Sequence, residues 1–514
     1  MGDRYNACVE KVIEALILAL AAWPLLRLST DSGLRSLLPR AALGLVVLNA
    51  AWLAGVVLLL LHAPAALRPL AALALLGMAW TWWRSRSRYG AGRRLPPGSL
   101  GFVGSLRSLL DHRFYLEQWR RHGPVFKTRQ AHRPLACVVG LGRAHELLQR
   151  HEEALRLPPL PFNRHIPGGF LRYMEPKTHR AYRPLFQAAF SRRVVDACEP
   201  FIARVTQERL AGMAEGSQTN GGGVNPRPHL EGLVLTIFLR VFLGVEPGTE
   251  IHERLTRLYP GIDHRPNMRQ NRRRFVSDLE AIEAIVNELA DRIADREGSA
   301  HDSFLAEMVR LHPESRRDRT VVVNLLYVLQ TTRIDVAGLL TWILKKLTDH
   351  PEWSERVRNE DTEGEGSLAE RVVMETLRLE QSEFLYREVH DEFEVEGHRV
   401  PRGWLLRVCV RESHRDPAVF EDPETYDPDR FLERRYGWNE YSPFGLARHS
   451  CIGRDLTRTI GRIFVRELTA GYEWTAVGDG SREACGRHWD HWRPSSRFRV
   501  RLVPRPGART ISQQ

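Results

Sequence analysis

Lysine is nearly missing from this chain: among its 74 basic residues only Lys11, Lys127, Lys177, Lys345 and Lys346 are not arginine. A skew that uniform points to a GC-rich genome rather than to a ligand. The formal net charge of +12 could mark a nucleic-acid or anionic-membrane partner. No dense basic run with interleaved aromatics forms a readable nucleic-acid module, so nucleic acid is not expected as a partner. Cysteine is scarce as well: Cys8, Cys137, Cys198, Cys409, Cys451 and Cys485 are scattered without a CxxC pair. That pattern excludes a zinc framework and a disulfide scaffold and fits a reducing compartment. There is no Walker loop, and Gly140-Leu141-Gly142-Arg143-Ala144-His145 lacks the third glycine of a dinucleotide fingerprint, so it reads as a strand-to-helix turn. Strand-like runs such as Cys137-Val138-Val139 and Phe393-Glu394-Val395 are few. Helical patterns dominate, and the fold class expected is mainly α with a smaller β portion.

Long apolar runs, in contrast, crowd the first ninety residues. Val12 to Leu26, Ala41 to Leu61 and Leu70 to Trp83 are three such stretches, of which the middle one meets the roughly 20-residue length needed to span a bilayer. Three transmembrane helices, or one anchor helix with a membrane-lying hairpin, both fit. Arg27, Arg35 and Arg40 lie between the first two stretches, and Arg84, Arg86, Arg88, Arg93 and Arg94 follow the third. Under the positive-inside rule both segments are cytoplasmic, and so is everything after them. The implied site is a membrane, the endoplasmic reticulum of a eukaryote or the inner membrane of a bacterium, with lipid as a partner. Residues 1–94 are thus read as a membrane anchor, 95–104 as a proline-glycine hinge and 105–514 as a catalytic domain.

The chemistry centres on Cys451, in Pro443-Phe444-Gly445-Leu446-Ala447-Arg448-His449-Ser450-Cys451-Ile452-Gly453-Arg454. A glycine two residues after the cysteine lets backbone N–H groups approach the sulfur. Leu456, Ile460, Ile463, Phe464 and Leu468 then repeat with helical period. The cysteine therefore stands at a helix N-terminus, where partial positive charge favours a thiolate. Such a sulfur can ligate a haem iron and push electron density onto it.

The segment resembles the haem-binding signature of the cytochrome P-450 family, Phe-x-x-Gly-x-His/Arg-x-Cys-x-Gly, with Phe444, His449, Cys451 and Gly453 matching and Ala447 in place of the first glycine. Two further segments agree. Glu375-Thr376-Leu377-Arg378 resembles the family's Glu-x-x-Arg, and Asp429-Arg430-Phe431 resembles its Pro-Glu-Arg-Phe segment. Residues three apart share a helix face, so Glu375 and Arg378 can pair and jointly receive Arg430. His179-Arg180-Ala181-Tyr182-Arg183 resembles the family's third helix. His179 and Arg183, four apart, could both hold a haem propionate by charge-assisted bonds; Arg387 and His449 are further candidates.

Val321 to Leu347 resembles the helix that crosses the haem face, with register set by Leu340-Thr341-Trp342 and His350-Pro351-Glu352. In that register the family's acid-threonine pair falls on Ile334 and Asp335. Asp335 then becomes the candidate proton relay, with Thr331 and Thr332 one turn earlier. The resemblance implies a haem-thiolate monooxygenase with haem b (iron protoporphyrin IX). It would oxidise a lipophilic small molecule, by hydroxylation or epoxidation in secondary metabolism, with electrons from a separate flavin reductase or ferredoxin. Nothing after Arg505 could hold a flavin or iron–sulfur domain. A peroxide-using or rearranging enzyme, and a non-catalytic haem-binding protein, are the alternatives. The chain from Pro158 to Leu171 and from Leu326 to Ala337 is the expected substrate lining; with Asn163, Arg164, His165 and Arg333 it suggests a ligand with an acidic or polar end.

Overall fold

A computed structural model of the chain describes residues 95–506 except short internal segments, the longer of which are 158–167, 263–271, 296–301 and 484–492. The expected anchor, with its three apolar stretches, lies outside the described residues, as do Asn163, Arg164 and His165. Among the described residues no helix is long and apolar enough to cross a membrane.

Two compact units are present. The smaller holds a five-stranded sheet of order β1-β2-β7-β4-β3, built from β1 (Val125–Gln130), β2 (Arg133–Val138), β3 (Leu155–Arg156), β4 (Leu385–Val389) and β7 (Leu405–Val408). The strands β1 and β2 form an antiparallel hairpin with Val125 opposite Val138, whereas β2 and β7 run parallel. β5 (Phe393–Val395) and β6 (His398–Val400) form a separate hairpin. Phe126, Leu135, Cys137, Leu405 and Cys409 pack with Phe114 and Tyr115 of α1 (Phe114–His122). The Arg407 guanidinium lies 3.8 Å from the Tyr115 ring centroid, a contact that keeps a buried cation against an aromatic face.

The larger unit is helical. Its principal helices are α2 (Pro176–Ala189), α3 (Arg192–Thr219), α4 (Pro226–Leu243), α5 (Glu250–Leu258), α6 (Arg272–Ala294), α7 (Phe304–Leu311), α8 (Arg319–Asp349), α9 (Pro351–Arg358), α10 (Leu368–Glu380) and α11 (Arg454–Gly471). α8 is the long apolar helix legible in the sequence. Its N-terminus is capped by Asp318, whose carboxylate accepts from the Thr320 N–H. It ends at His350 because a residue before proline is driven out of the helical region, while Pro351 starts α9 at a position that needs no N–H donor. At 31 residues it is about 46 Å long, and α4 and α10 pack on it.

α11 begins at Arg454 and buries Leu456, Ile460, Ile463, Phe464 and Leu468, the face expected from their period. It lies against α3 and α10. Close approach to α10 depends on Gly461, where a Cβ would come within 2.8 Å of Val373 Cγ2. The residues of 443–453 are thereby fixed between a tightly packed helix pair and the chain that precedes them.

Candidate active site: a recessed cysteine facing an interrupted buried helix

Local hydrogen bonds shape the cysteine loop. Ser442 donates its N–H to His414 Nε2 at 3.0 Å and its hydroxyl to the Gly445 carbonyl at 2.8 Å. The Cys451 N–H donates to the Phe444 carbonyl at 2.8 Å, folding the loop back on itself. Gly445 has φ 87°, and Ala447 takes φ 56°, a left-handed conformation that a glycine would adopt without strain. Gly453 directs its N–H at the Cys451 sulfur. A Cβ on that glycine would stand 4.0 Å from Sγ.

Cys451 is accessible as a residue, yet its thiol pKa is pushed up, first by burial. An accessible side chain with a desolvated sulfur belongs at the floor of a recess, not on a convex surface. The Gly453 N–H and the guanidinium groups of Arg172 and Arg183 act in the opposite sense, and Asp335 adds to the rise. The expectation that a helix N-terminus alone favours the thiolate needs correction: burial outweighs the Gly453 N–H and the two guanidinium groups.

Asp335 enters this balance because of where it sits. From Val321 to Leu344 every residue of α8 is buried except Thr331, Thr332 and Asp335. These three share one helix face. The Thr331 hydroxyl donates to the Tyr327 and Val328 carbonyls, both at 3.1 Å, so its proton is committed to the helix backbone. Ile334 is buried. The interruption in the apolar helix thus carries a carboxylate within electrostatic reach of the Cys451 sulfur.

A second cluster flanks the loop. His179 and Arg183 lie on α2, and Arg183 donates through Nη2 to the Ser450 carbonyl at 2.6 Å. His179 is buried, its ring centroid 4.3 Å from that of His449, and its Nε2 has no partner among the described residues. Burial, then Arg183 and Arg448, lowers its pKa to about 4, so the imidazole is neutral. Arg172 was not singled out from sequence, since nothing in its spacing marks it among so many arginines, and only the fold brings it to the thiol. Arg448 stands beside His449 in the cysteine loop, and the fold brings it to His179. Arg387 belongs to the sheet unit, where it is buried on β4 and donates to the Tyr386 carbonyl at 2.8 Å.

Behind the loop, Glu375 and Arg378 on α10 form a fully buried bidentate pair, Nε to Oε2 at 2.7 Å and Nη2 to Oε1 at 2.8 Å. Glu375 Oε1 also accepts from Arg430 Nε at 3.1 Å and from the Asp427 N–H at 2.9 Å. Arg378 spends its other donors on the carbonyls of His414, Pro423 and Thr425. His414 was likewise not picked out as a functional residue, although it joins this network to Ser442 of the loop.

A recessed thiol with an N–H aimed at it, cations alongside, and a buried imidazole nitrogen without a partner among the described residues together fit a metal porphyrin held through sulfur and through its carboxylates. The comparison with known proteins agrees. The sequence pattern of the family described as Cytochrome P450 matches residues 96–498. Abscisic acid 8'-hydroxylase 1 of Arabidopsis thaliana is 26% identical over 425 residues, 77% of this chain and 89% of the relative. Abscisic acid 8'-hydroxylase CYP707A1 of Solanum lycopersicum is 25% identical over 423 residues, 76% and 87% of the two chains. Among solved structures, retinoic acid bound cyanobacterial CYP120A1 superposes with a TM-score of 0.64 at 20% identity, over 80% of this chain and 100% of that one. This chain belongs to the cytochrome P450 family. It is an oxidoreductase of the monooxygenase type, and its cofactor is haem, iron protoporphyrin IX.

Proposed function

We propose that this monooxygenase hydroxylates a lipophilic small molecule bearing an acidic end, and that Cys451 is the residue whose sulfur would hold the haem iron. The reading is carried by one observation: the accessible carboxylate of Asp335, on a helix otherwise buried, lies within electrostatic reach of the Cys451 sulfur. The acidic end is supported by Arg333, buried on the same helix, and by relatives whose names give an acid as substrate. Electrons come from a separate flavin reductase or ferredoxin, and residues 1–94 hold the domain at the cytoplasmic face of a membrane.

The bound haem supplies oxygen activation, for the overall reaction in which substrate, O2, two electrons and two protons give a hydroxylated product and water. Around it the chain performs separate tasks. Gly453 donates its N–H to the sulfur, and the Phe444 carbonyl fixes the Cys451 backbone beside it. The neutral His179 imidazole and the guanidinium groups of Arg172, Arg183 and Arg448 would hold the carboxylates of the haem, with His449 as a further partner. Asp335 takes a proton from water onto its carboxylate and passes it on toward the reacting oxygen. Thr332 helps to order the water between, and Thr331 can only accept. Glu375, Arg378 and Arg430 fix the loop and touch neither haem nor substrate.

A second reading is a peroxide-using or rearranging enzyme. It is favoured by the pair Ile334 and Asp335, which leaves the family's acid position apolar and puts an acid where threonine is usual. Turnover under labelled O2 separates the two. Product carrying one labelled oxygen, formed only with an electron donor and redox partner, supports the monooxygenase reading. Product formed with peroxide alone, unlabelled, replaces it with the second.

A further inference from the structure

A carboxamide interrupts the apolar first half of α8. Asn324 is fully buried, and both of its N–H donors and its oxygen are used: Oδ1 accepts the Leu171 N–H at 2.5 Å, while Nδ2 donates to the carbonyls of Gly169 at 3.0 Å and Thr320 at 2.8 Å. Leu171 opens a single 3-10 turn, Leu171–Tyr173, and its N–H has no partner inside that turn. Buried backbone groups of such an irregular segment must be paired from elsewhere, and Asn324 supplies what an aliphatic side chain could not. Two further contacts lie beside it. The Phe170 ring meets that of Tyr327 edge to face, centroids 4.9 Å apart. Gly168 and Gly169 have φ of 65° and 86°, and a Cβ on Gly168 would stand 3.0 Å from Thr320 Cγ2, so glycine lets the chain turn down onto the helix.

The place of this clamp around α8 gives it meaning. At about 100° per residue, Asn324, Val328, Thr331 and Asp335 fall within about 60° of one another around the helix axis, with Asn324 about 16 Å from Asp335 along it. Exposure rises along this one stripe: Asn324 is fully buried, Val328 nearly so, Thr331 half-buried and Asp335 exposed. The open part of the face therefore ends, toward the N-terminus of α8, where residues 169–171 are pinned across it.

We propose that Asn324 is a positioning residue that holds residues 169–171 as the end wall of the site and so limits how long a substrate can lie along α8, an inference that rests on the monooxygenase reading. The Asn324 side chain is wholly covered, so it acts only through the backbone of Gly169 and Leu171. Without the carboxamide a buried N–H and a buried C=O lose their partner, and the segment gains by moving out to water. The wall then opens and longer ligands fit.

The test uses the purified haem-loaded full chain and a series of 1-alkylimidazoles from butyl to hexadecyl, whose ring nitrogen ligates haem iron and shifts its absorption. In the wild type, affinity should rise about fourfold per added methylene up to one length and then stop rising. Asn324→Leu keeps the bulk of the side chain while removing its hydrogen bonds, so a change reports the segment and not vacated space. It should carry the rise at least two methylenes further, so that the chain two methylenes past the wild-type limit binds about tenfold or more tightly than in the wild type, with butylimidazole held within about twofold. Phe170→Leu, which loosens the contact with Tyr327, repeats the comparison if Asn324→Leu does not load haem. An unmoved limit, equal weakening at every length, or a wild type whose affinity climbs through the whole series each overturns the proposal. So does failure of both variants to load haem, which would make the clamp a requirement of folding alone. If the reduced wild type with carbon monoxide lacks the red-shifted thiolate band, the failure belongs to the proposed function instead.

Discussion

Replacing Glu375 by alanine removes a carboxylate that accepts four hydrogen bonds, from Arg378 Nε and Nη2, Arg430 Nε and the Asp427 N–H. Arg378 is fully buried and Arg430 nearly so, so water cannot take the place of the lost acceptor. Arg378 keeps the carbonyls of His414, Pro423 and Thr425, and Arg430 keeps those of Glu421 and Thr425. The guanidinium groups remain hydrogen-bonded but lose their counter-ion. Breaking a buried ion pair by removing one partner costs about 3–5 kcal/mol, against a total stability of about 5–15 kcal/mol for an ordinary domain. The expected outcome is a chain that unfolds at much lower denaturant and is recovered with little haem. Because His414 connects this network to Ser442, the cysteine loop should suffer along with α10. Denaturant unfolding and the haem-to-protein absorbance ratio measure both. A Glu375→Ala protein that keeps the wild-type midpoint and full haem content would refute the reasoning, since the two arginines would then have to be solvated.

Asp335→Asn keeps the shape of the side chain but removes its titrating proton. Product per electron should fall and peroxide be released, and an unchanged yield would remove Asp335 from the relay. Ala447→Gly should raise stability by at most about 1 kcal/mol, since relief of the left-handed strain is partly offset by glycine's greater unfolded entropy; a stability loss in thermal unfolding would mean that the Ala447 methyl contributes packing worth more than the strain. His414 is held at a pKa of about 3 by burial, then by Arg378 and Arg415, and accepts the Ser442 N–H as a neutral ring. Its ordinary value is about 6.5, so between these two the unfolded chain binds a proton that the folded chain does not. Stability should therefore fall as pH drops from about 6.5 toward 3, with a slope from this group of at most about 1.4 kcal/mol per pH unit. His414→Gln should flatten that limb of the stability-against-pH curve, and an identical curve would assign the acid loss elsewhere.

The helix-rich character of the chain was legible because its segments repeat apolar residues at a helical period over long stretches. α8 extends beyond the expected Val321–Leu347, and α11 beyond the helical repeat from Leu456 to Leu468, by only a few residues at each end. The pairing of Glu375 with Arg378 could be read from a spacing of three. What could not be read depends on chain segments distant in sequence. Arg172 and His414 carry no mark of their role in sequence, and only tertiary packing sets one near the thiol and the other under the loop; Arg448 stands beside a residue already singled out, yet its approach to His179 comes from the fold. The sign of the Cys451 pKa shift was missed for a related reason. A helix N-terminus is visible in sequence, whereas the desolvation that outweighs it is a property of the whole recess.

The account depends above all on Cys451 as the haem iron's ligand, and the reduced carbon-monoxide difference spectrum tests this directly. The wild-type protein should show the red-shifted Soret band of thiolate ligation. Cys451→Ala, checked for intact fold by circular dichroism, should lose the band. A Cys451→Ala protein that retains it, or a folded haem-loaded wild type that never shows it, would contradict the assignment.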